Sequence, residues 1–285
     1  MPKNKQKKVK EPQYYSSATN MPTYNYKVYY MSSLEKILYF IIAFAVGAAV
    51  GYLFYGGIGK NEYNEPTKTT HILNVVIPSI VGAFAGIKFI PIRTEQIIKK
   101  HQKNLKSQFR NFLEALDTAY GAGKNMIDSF YSSYSDLKMQ YEEDAHILKE
   151  LEVILAGYES NIEVEVSLKD LGERSGIEDI RMFADVFAIG NRRGGNMKDI
   201  IRNTREILGD KMEIAEDIET TVASSKSEQN VMMCMPIVLV ALMKFSDESM
   251  ASNFTTDSGI VSTTIAVVMF VAAYFIGKKI LDIHI

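Results

Sequence analysis

The stretch that decides the fold is residues 38–55, LYFIIAFAVGAAVGYLFY, which carries no charged side chain. A helix needs about 20 mostly apolar residues to cross about 30 Å of hydrocarbon, and this run reaches that length with its interfacial neighbours. Similar runs occupy residues 72–92, 231–245 and 260–276. The third is short and contains Pro236, which also suits a buried core helix. We therefore expect an all-α membrane protein with about four transmembrane helices.

The charges that flank the runs indicate which side each segment faces, because short cytoplasmic loops are enriched in Lys and Arg. The N-terminal arm is basic, the first connecting loop is balanced, the insert begins basic, the second loop is acidic and the tail is basic. Four crossings with both termini in the cytoplasm explain this alternation. If the third run did not cross, Lys278 and Lys279 would lie outside, against the bias.

The chain divides by composition into four expected segments. Residues 1–33 are rich in Lys, Tyr, Asn, Ser and Pro without apolar periodicity, and we expect a disordered basic arm that lies on anionic lipid headgroups. Residues 34–92 form two transmembrane helices with a short outside loop. Residues 93–230 form a cytoplasmic helical domain. Residues 231–285 form two transmembrane helices and a short cytoplasmic tail.

Apolar periodicity predicts that the insert is helical almost throughout. Its first stripe, at three- and four-residue spacing, is Leu105, Phe109, Phe112, Leu113, Leu116 and Tyr120. Further helices are expected at about 125–139, 141–157, 162–174 and 177–191, followed by a long helix from Asn196 that continues into the third apolar run. The buried side of that last helix is predicted to be Ile200, Ile201, Thr204, Ile207, Leu208, Ile214, Ala215, Ile218 and Val222.

An Asn-Met-x-Asp motif occurs twice in the insert, each time after a glycine break. Asn125 and Asp128 follow Gly123, while Asn196 and Asp199 follow Gly195. An Asn cap with an acid in the first turn is typical of a helix start. Two related helical hairpins packed as one six-helix bundle explain the repetition, although four residues also coincide by chance.

No enzyme site is recognisable, and we expect a protein without catalytic activity or cofactor. A P-loop is absent from the sequence, and the single cysteine, Cys234, excludes an intrachain disulfide. The four histidines, His71, His101, His146 and His284, lack metal-site spacing. His146 lies among Glu142, Glu143 and Glu150, where a metal site is conceivable, but a solvated helix face is the favoured interpretation.

The apolar runs offer little for solute transport, because ionisable residues mark transport paths. Lys88 is near the end of its run, where its ammonium group can reach the interface. Gly47 and Gly51, together with Gly82 and Gly86, form small-xxx-small pairs that allow close helix approach. They serve either packing within the chain, which we favour, or a dimer seam.

Charges around the second glycine break divide by sign, with five basic residues followed by six acidic ones. A solvated helix with pairing between residues four apart explains this pattern. A partner-docking surface explains it as well, since charge complementarity directs association. The candidate docking residues are Gly123, Asn125, Asp128, Arg192, Arg193, Gly194, Gly195, Asn196, Asp199, Arg202, Glu213 and Glu216.

The motif residues that carry a family resemblance over residues 100–285 are Phe112, Leu113, Leu116, Ala122, Gly123, Leu171, Gly172, Glu173, Arg174, Ser175, Gly176, Phe183, Arg193, Gly194, Gly195, Asn196, Met197 and Pro236. In these residues the chain resembles the F-type inner-membrane platform proteins of type II secretion and type IV pilus systems, and most of all the tight-adherence (Tad) pilus platforms. Where the family has Leu after each glycine break, this chain has Met126 and Met197, and the arm at 1–30 lies outside the shared pattern.

The resemblance implies a non-enzymatic platform in a bacterial inner membrane. Its cytoplasmic F domain would meet a hexameric secretion ATPase, and its spans would meet pilin or pseudopilin subunits. One F domain per chain implies pairing with itself or with a sister chain, and no nucleic acid is involved. The alternative hypothesis is a membrane transporter or channel with a cytosolic regulatory helical bundle.

Overall fold

The structure is a computed structural model that describes residues 11–17, 20–59, 65–193, 196–246 and 248–281. The chain divides into two compact units. The helical unit comprises Met1–Tyr30 and Thr94–Glu213, and the apolar unit comprises Met31–Arg93 and Ile214–Ile285. The elements of the described residues are β1 (Tyr14–Ser16), β2 (Pro22–Tyr24), α1 (Ser33–Tyr55), α2 (Lys68–Gly121), α3 (Met126–Gln140), α4 (His146–Glu159), α5 (Val164–Ser175), α6 (Glu178–Arg193), α7 (Met197–Ser246), α8 (Glu248–Asn253) and α9 (Asp257–Leu281).

Four helices in the described ranges, α1, α2, α7 and α9, have the length and apolar composition needed to cross a membrane. At the level of length and composition, this confirms the expectation of an all-α, multi-pass membrane protein. The third run belongs to α7, which continues through Pro236 without ending there. Helices α2 and α7 each contribute residues to both units.

Glycines line the contact between α1 and α2 in the apolar unit. A Cβ added at Gly47 would lie 2.8 Å from the Cβ of Ala85, and one added at Gly82 would lie 2.7 Å from the carbonyl oxygen of Phe44. A Cβ at Gly86 would lie 2.6 Å from the ring of Phe40. The small-xxx-small pairs therefore serve packing within the chain, as favoured, rather than an exposed dimer seam.

Lys244, the charged residue of the third apolar run, is held by polar contacts within the apolar unit. Its Nζ donates to the carbonyl oxygen of Gly56, 3.3 Å away, at the C-terminal end of α1. It also lies 5.4 Å from the centroid of the Phe254 ring. A cation at a helix C-terminus satisfies carbonyls that have no partner inside the helix. A second link joins α1 to α9, since the Tyr55 hydroxyl lies 3.2 Å from Oγ1 of Thr264.

Replacing Gly47 by Leu will disrupt the apolar unit. The new side chain collides with Ala85 and Gly82, and overpacking of a close helix contact costs about 1–3 kcal/mol or more. The matched control is Ala49→Leu, because Ala49 is two residues away on the exposed side of the same helix. Size-exclusion profiles in mild detergent will show a several-fold loss of monodisperse protein for Gly47→Leu and little change for Ala49→Leu. Equal profiles for both variants would contradict the assigned packing.

Phenylalanine rings form the centre of the helical unit. Phe109 packs on Phe183 at a centroid distance of 5.5 Å, and Phe112 packs on Phe130 at 5.4 Å. Phe130 also reaches Phe187 at 6.0 Å, so α2, α3 and α6 meet around one aromatic cluster. The predicted α2 stripe is confirmed from Leu105 through Leu116, where all five side chains are buried. Six helical segments, α3 to α6 with the adjoining parts of α2 and α7, make up the described part of this unit.

Several helix boundaries differ from the prediction. The helix expected from residue 141 begins at His146 instead, because residues 141–145 form a turn in which the Ala145 amide donates to the Glu142 carbonyl. Gly157 does not end this helix, which continues to Glu159 and is followed by Asn161 with a φ of 63°. Asn tolerates this left-handed conformation better than most residues.

Part of the side of α7 that was predicted to be buried is exposed in the structure. Ile201 and Leu208 are buried as expected, whereas Ile207 and Ile214 are more than half exposed. The division between the two compact units falls between Glu213 and Ile214. Helical periodicity shows which residues share a face, but not how far along the helix that face is covered by neighbouring elements.

The N-terminal arm is folded over its described residues, so the prediction of disorder for residues 1–33 was wrong there. β1 pairs antiparallel with β2, with Tyr14 opposite Tyr24 and Ser16 opposite Pro22. Tyr26 is 1% exposed and belongs to the core of the helical unit. Low periodicity misled the prediction, because a short hairpin is stabilised by tertiary contacts rather than by an apolar stripe of its own. Residues 1–10, 18 and 19 lie outside the described residues.

Arg174 and Glu150 form the buried ion pair that holds the arm. The two side chains are 5% and 4% exposed, and Nη2 of Arg174 lies 2.8 Å from Oε2 of Glu150. Nη1 donates to Oε1 of Glu150 at 3.1 Å and to the Tyr24 carbonyl at 2.8 Å, while Nε donates to Asp170 at 2.6 Å. The Tyr26 hydroxyl donates to Oε1 of Glu150, 3.0 Å away. Burial and the Glu150 carboxylate raise the pKa of Tyr26, which keeps this hydroxyl protonated as a donor.

Replacing Arg174 by Ala will release the arm. The change leaves the Glu150 carboxylate buried without its cation, and breaking a buried pair costs about 3–5 kcal/mol. Hydrogen exchange of the full chain in detergent will show lost protection of the amides at residues 23–27. The control is Arg181→Ala, because Arg181 pairs with Glu178 at the surface, where solvent screening leaves such pairs little effect on stability. Unchanged protection in Arg174→Ala would show that the ion pair does not anchor the arm.

Candidate functional site

The first glycine break positions the start of α3. Gly123 has a φ of 82°, which favours glycine, and the chain then enters the helix through Asn125. The Asn125 side chain accepts a hydrogen bond from the Asp128 amide at 2.9 Å, and its Nδ2 donates to the Asp128 carboxylate at 2.6 Å. Gly123, Asn125 and Asp128 are exposed. Their observed contacts are those of a helix N-cap.

The second break has the same local chemistry at the start of α7. Nδ2 of Asn196 donates to the Asp199 carboxylate at 2.6 Å, and the Asn196 carbonyl accepts the amide of Ile200 at 3.2 Å. Gly194 and Gly195 lie outside the described residues. The repeated Asn-Met-x-Asp motif therefore begins a helix in both places, and in each the amide and the carboxylate contact one another.

The charged docking candidates lie in the last turn of α6 and along α7. Arg192 and Arg193 are the last two residues of α6, and both are exposed, as is Arg202 on α7. Glu213 is also exposed and is the last residue of the helical unit, whereas Glu216 belongs to the apolar unit. Three exposed arginines, at residues 192, 193 and 202, therefore belong to the helical unit. Glu216 does not belong to this unit.

Other charged residues of α2, α6 and α7 form structural ion pairs. Asp179 on α6 accepts from Lys106 on α2 at 3.0 Å and from Lys211 on α7 at 2.5 Å. Burial alone raises the pKa of Asp179, but the hydrogen bonds from Lys211 and Lys106 outweigh burial and lower it overall. Arg205 lies 3.7 Å from Asp117 on α2. These bridges join α6 and α7 to α2 and so stabilise the helical unit.

Sequence analysis missed a second cluster, in which the arm covers two histidines. Nδ1 of His101 on α2 lies 2.9 Å from Nε2 of His146 on α4, although 45 residues separate them. The Tyr24 ring contacts both imidazoles, with centroid distances of 5.7 and 6.3 Å. Tyr26 packs edge-on against His146 at 5.3 Å. No spacing signal marks this pair, because only the packing of α4 on α2 brings its members together.

His146 does not lie on a solvated helix face, so that interpretation was wrong. The imidazole is partly buried among aromatic rings, and Glu150 is bound to Arg174. The metal alternative gains no support either. Within the described residues, no group of three or more His, Cys, Asp or Glu side chains is arranged to hold a metal ion.

Both imidazoles are held neutral by their surroundings. Burial, together with the neighbouring His101 and Lys149, lowers the pKa of His146 to about 4 against an opposing effect of Asp144. Burial and Lys100 lower the pKa of His101. A hydrogen bond between two neutral imidazoles uses one N–H and one lone pair. The pair is therefore intact at neutral pH and is lost when both rings take up protons.

Acidification will destabilise the helical unit through this pair. The unfolded chain protonates His146 near pH 6.5 and the folded chain only near pH 4, so the stabilisation is fully present above pH 6.5 and falls as the pH drops toward 4. Because His146 is partly exposed, solvent screening limits the expected effect to about 1 kcal/mol. Thermal unfolding at pH 7.5 and pH 5 will show a smaller acid-induced decrease in the double variant His101→Gln/His146→Gln than in the parent. If the unfolding temperature fell equally in both proteins on acidification, the loss of stability would come from carboxylates elsewhere and not from the histidine pair.

Comparison with known proteins assigns no family to the chain. No family model, no curated protein and no solved structure matches it. The function must therefore follow from the architecture and from the residues described above.

Proposed function

We propose that the protein is a non-enzymatic platform in a bacterial inner membrane that couples a cytoplasmic secretion ATPase to the assembly of a pilus or pseudopilus. The observation that carries the proposal is the order of its parts: the main part of the helical unit, Thr94–Glu213, lies in the chain between the apolar stretches of the second and third of four long helices. This is the order expected from the resemblance to type II secretion F-domain proteins, with Tad pilus platforms the most similar.

The continuity of α2 and α7 supports a mechanical role. Each helix runs from an apolar stretch into the helical unit without an intervening loop, over 54 residues in α2 and 50 in α7. A helix without an intervening loop transmits force or torque along its axis, whereas a loop dissipates it. Pro78 and Pro91 in α2 and Pro236 in α7 each remove one backbone hydrogen bond from this path. Motion that the ATPase imposes on the helical unit would therefore reach the spans, where pilin subunits leave the bilayer.

The basic end of α6 supports docking of an acidic partner surface. Arg192 and Arg193 are exposed, and Arg202 extends the positive charge onto α7. Charge complementarity gives an interface its orientation and speeds association. We assign the ATPase contact to the end of α6, and the Asn125 and Asn196 caps fix where α3 and α7 begin. A second F-domain chain, identical or not, would complete a paired platform.

One feature of the apolar unit bears on the alternative of a transporter or channel. A groove of about 480 Å³ is lined by Phe54 of α1, Pro236 of α7, Phe270 of α9 and their neighbours. Thr263 supplies the polar side chain of an otherwise apolar lining. A hydrophilic solute would need several polar partners there, so this surface suits an acyl chain or an apolar helix better than a transported ion.

Reversing both arginines, Arg192→Glu/Arg193→Glu, will abolish filament export while the protein remains in the membrane. Like charges on the two partners would then repel one another instead of complementing each other. The assay counts surface filaments and compares immunoblots of membrane fractions. The matched control, Lys169→Glu/Arg181→Glu, reverses two exposed charges on the neighbouring helices α5 and α6 and should export normally. Normal filaments in the Arg192/Arg193 variant would remove the proposed docking surface.

A further inference from the structure

A cavity of about 330 Å³ lies within the helical unit, between the N-terminal hairpin and the helices α2 and α4. Its volume is at the lower end of the range of about 300–1,000 Å³ that is typical of small-molecule sites. The hairpin supplies Tyr14 and Tyr24 to the lining, the arm after it supplies Tyr29, and the helices supply His101, His146 and Lys149. The cavity exists only because the arm is folded onto the helices.

The charges around the cavity favour an anion. Lys149 is exposed at its edge, and no ion pair of Lys149 is seen in the described part of the chain. Glu150 also borders the cavity, but its carboxylate is bound on both oxygens by Arg174. Asp170 is bound by the same guanidinium. The opposing acid near His146 is Asp144, which is exposed in the turn before α4.

The histidine pair provides a hydrogen-bond donor. Two neutral imidazoles carry two N–H groups, and the contact between Nδ1 of His101 and Nε2 of His146 uses one of them. The remaining N–H belongs to the ring that accepts this bond. In either tautomer, one outer nitrogen donates and the other accepts, so the pair has one donor for a bound anion.

The aromatic rings provide a surface for a planar group. The Tyr24 ring is nearly parallel to His146, at an interplanar angle of 21° and a centroid distance of 6.3 Å. The Tyr29 ring is nearly parallel to His101, at 27° and 6.2 Å. Tyr14, on β1, is 59% exposed and packs edge-on against Tyr24 at the same cavity. Aromatic side chains of this kind stack on planar rings, including those of nucleobases.

We propose that this cavity binds a small anion that carries a planar aromatic ring, for which a nucleoside monophosphate is the representative of matching size. Lys149 and the free N–H of the imidazole pair contact the anionic group, and the tyrosine rings stack on the planar group. A quaternary ammonium, the usual ligand of an aromatic cage, is disfavoured by the lysine and by the neutralised Glu150. Because the ligand touches both the hairpin and the helices, its binding stabilises the folded arm.

The test measures binding of AMP, adenosine and ribose 5-phosphate to the purified full chain in detergent by titration calorimetry. AMP should bind more tightly than either fragment, since only AMP offers both the ring and the anion. Lys149→Gln should weaken AMP by about 10-fold, the loss of one charge-assisted contact, and leave adenosine unchanged. Lys169→Gln, an exposed lysine on α5 away from the cavity, should bind AMP as the parent does.

Three results would overturn the proposal. AMP that fails to bind at millimolar concentration to well-folded protein would show that the cavity is not a site for such anions. AMP affinity that is equal in Lys149→Gln and the parent would place any binding elsewhere. Ribose 5-phosphate that binds as tightly as AMP would show that the rings contribute nothing. Hydrogen exchange of residues 23–27 in each variant verifies that the arm remains folded during these measurements.

Discussion

A guanidinium that is almost completely buried must find a partner for nearly every N–H group, because an unpaired charge in the interior costs several kcal/mol. Arg174 meets this requirement with Glu150 on α4, Asp170 on its own helix and the carbonyl of Tyr24 in the arm. The pair in turn makes a site for Tyr26, whose amide donates to the Arg174 carbonyl and whose hydroxyl donates to Glu150. One interaction thus joins three parts of the helical unit: the arm, α4 and α5. The arm then completes the cavity over the histidine pair.

Features with a local physical signature could be predicted from the sequence. The apolar runs, the stripe from Leu105 to Leu116, the two Asn caps and the close packing at Gly47 and Gly82 all follow from composition or spacing. The features that were missed depend on contacts between distant residues. Tyr26 is buried only because Glu150 and Arg174 come together, and His101 meets His146 only when α4 packs on α2. The exposure of Ile207 likewise depends on what the rest of the fold leaves uncovered.

The candidate site shows the same division. Sequence motifs located the glycine breaks and their caps, and the observed contacts give Asn125, Asp128, Asn196 and Asp199 a role in starting helices. The arginines at the end of α6 are exposed, which is the property a docking surface requires. Lys106, Lys211 and Arg205 form ion pairs that bridge helices. Internal ion pairs of this kind do not account for Arg192 and Arg193. In a platform that receives force at α6, the exposed arginines would contact the ATPase. The ion pairs of Lys106, Lys211 and Arg205 would stiffen the unit that passes the force to α2 and α7.

The central claim is that the helical unit receives a secretion ATPase. The most direct measurement is affinity purification of the tagged full chain from native membranes in mild detergent, with crosslinking and mass spectrometry of the proteins retained. We predict recovery of a P-loop ATPase together with a second F-domain chain, and loss of the ATPase alone when Arg192 and Arg193 are both Glu. Recovery of neither protein with an abundant, well-folded bait would contradict the account and favour a membrane transporter with a cytosolic helical bundle.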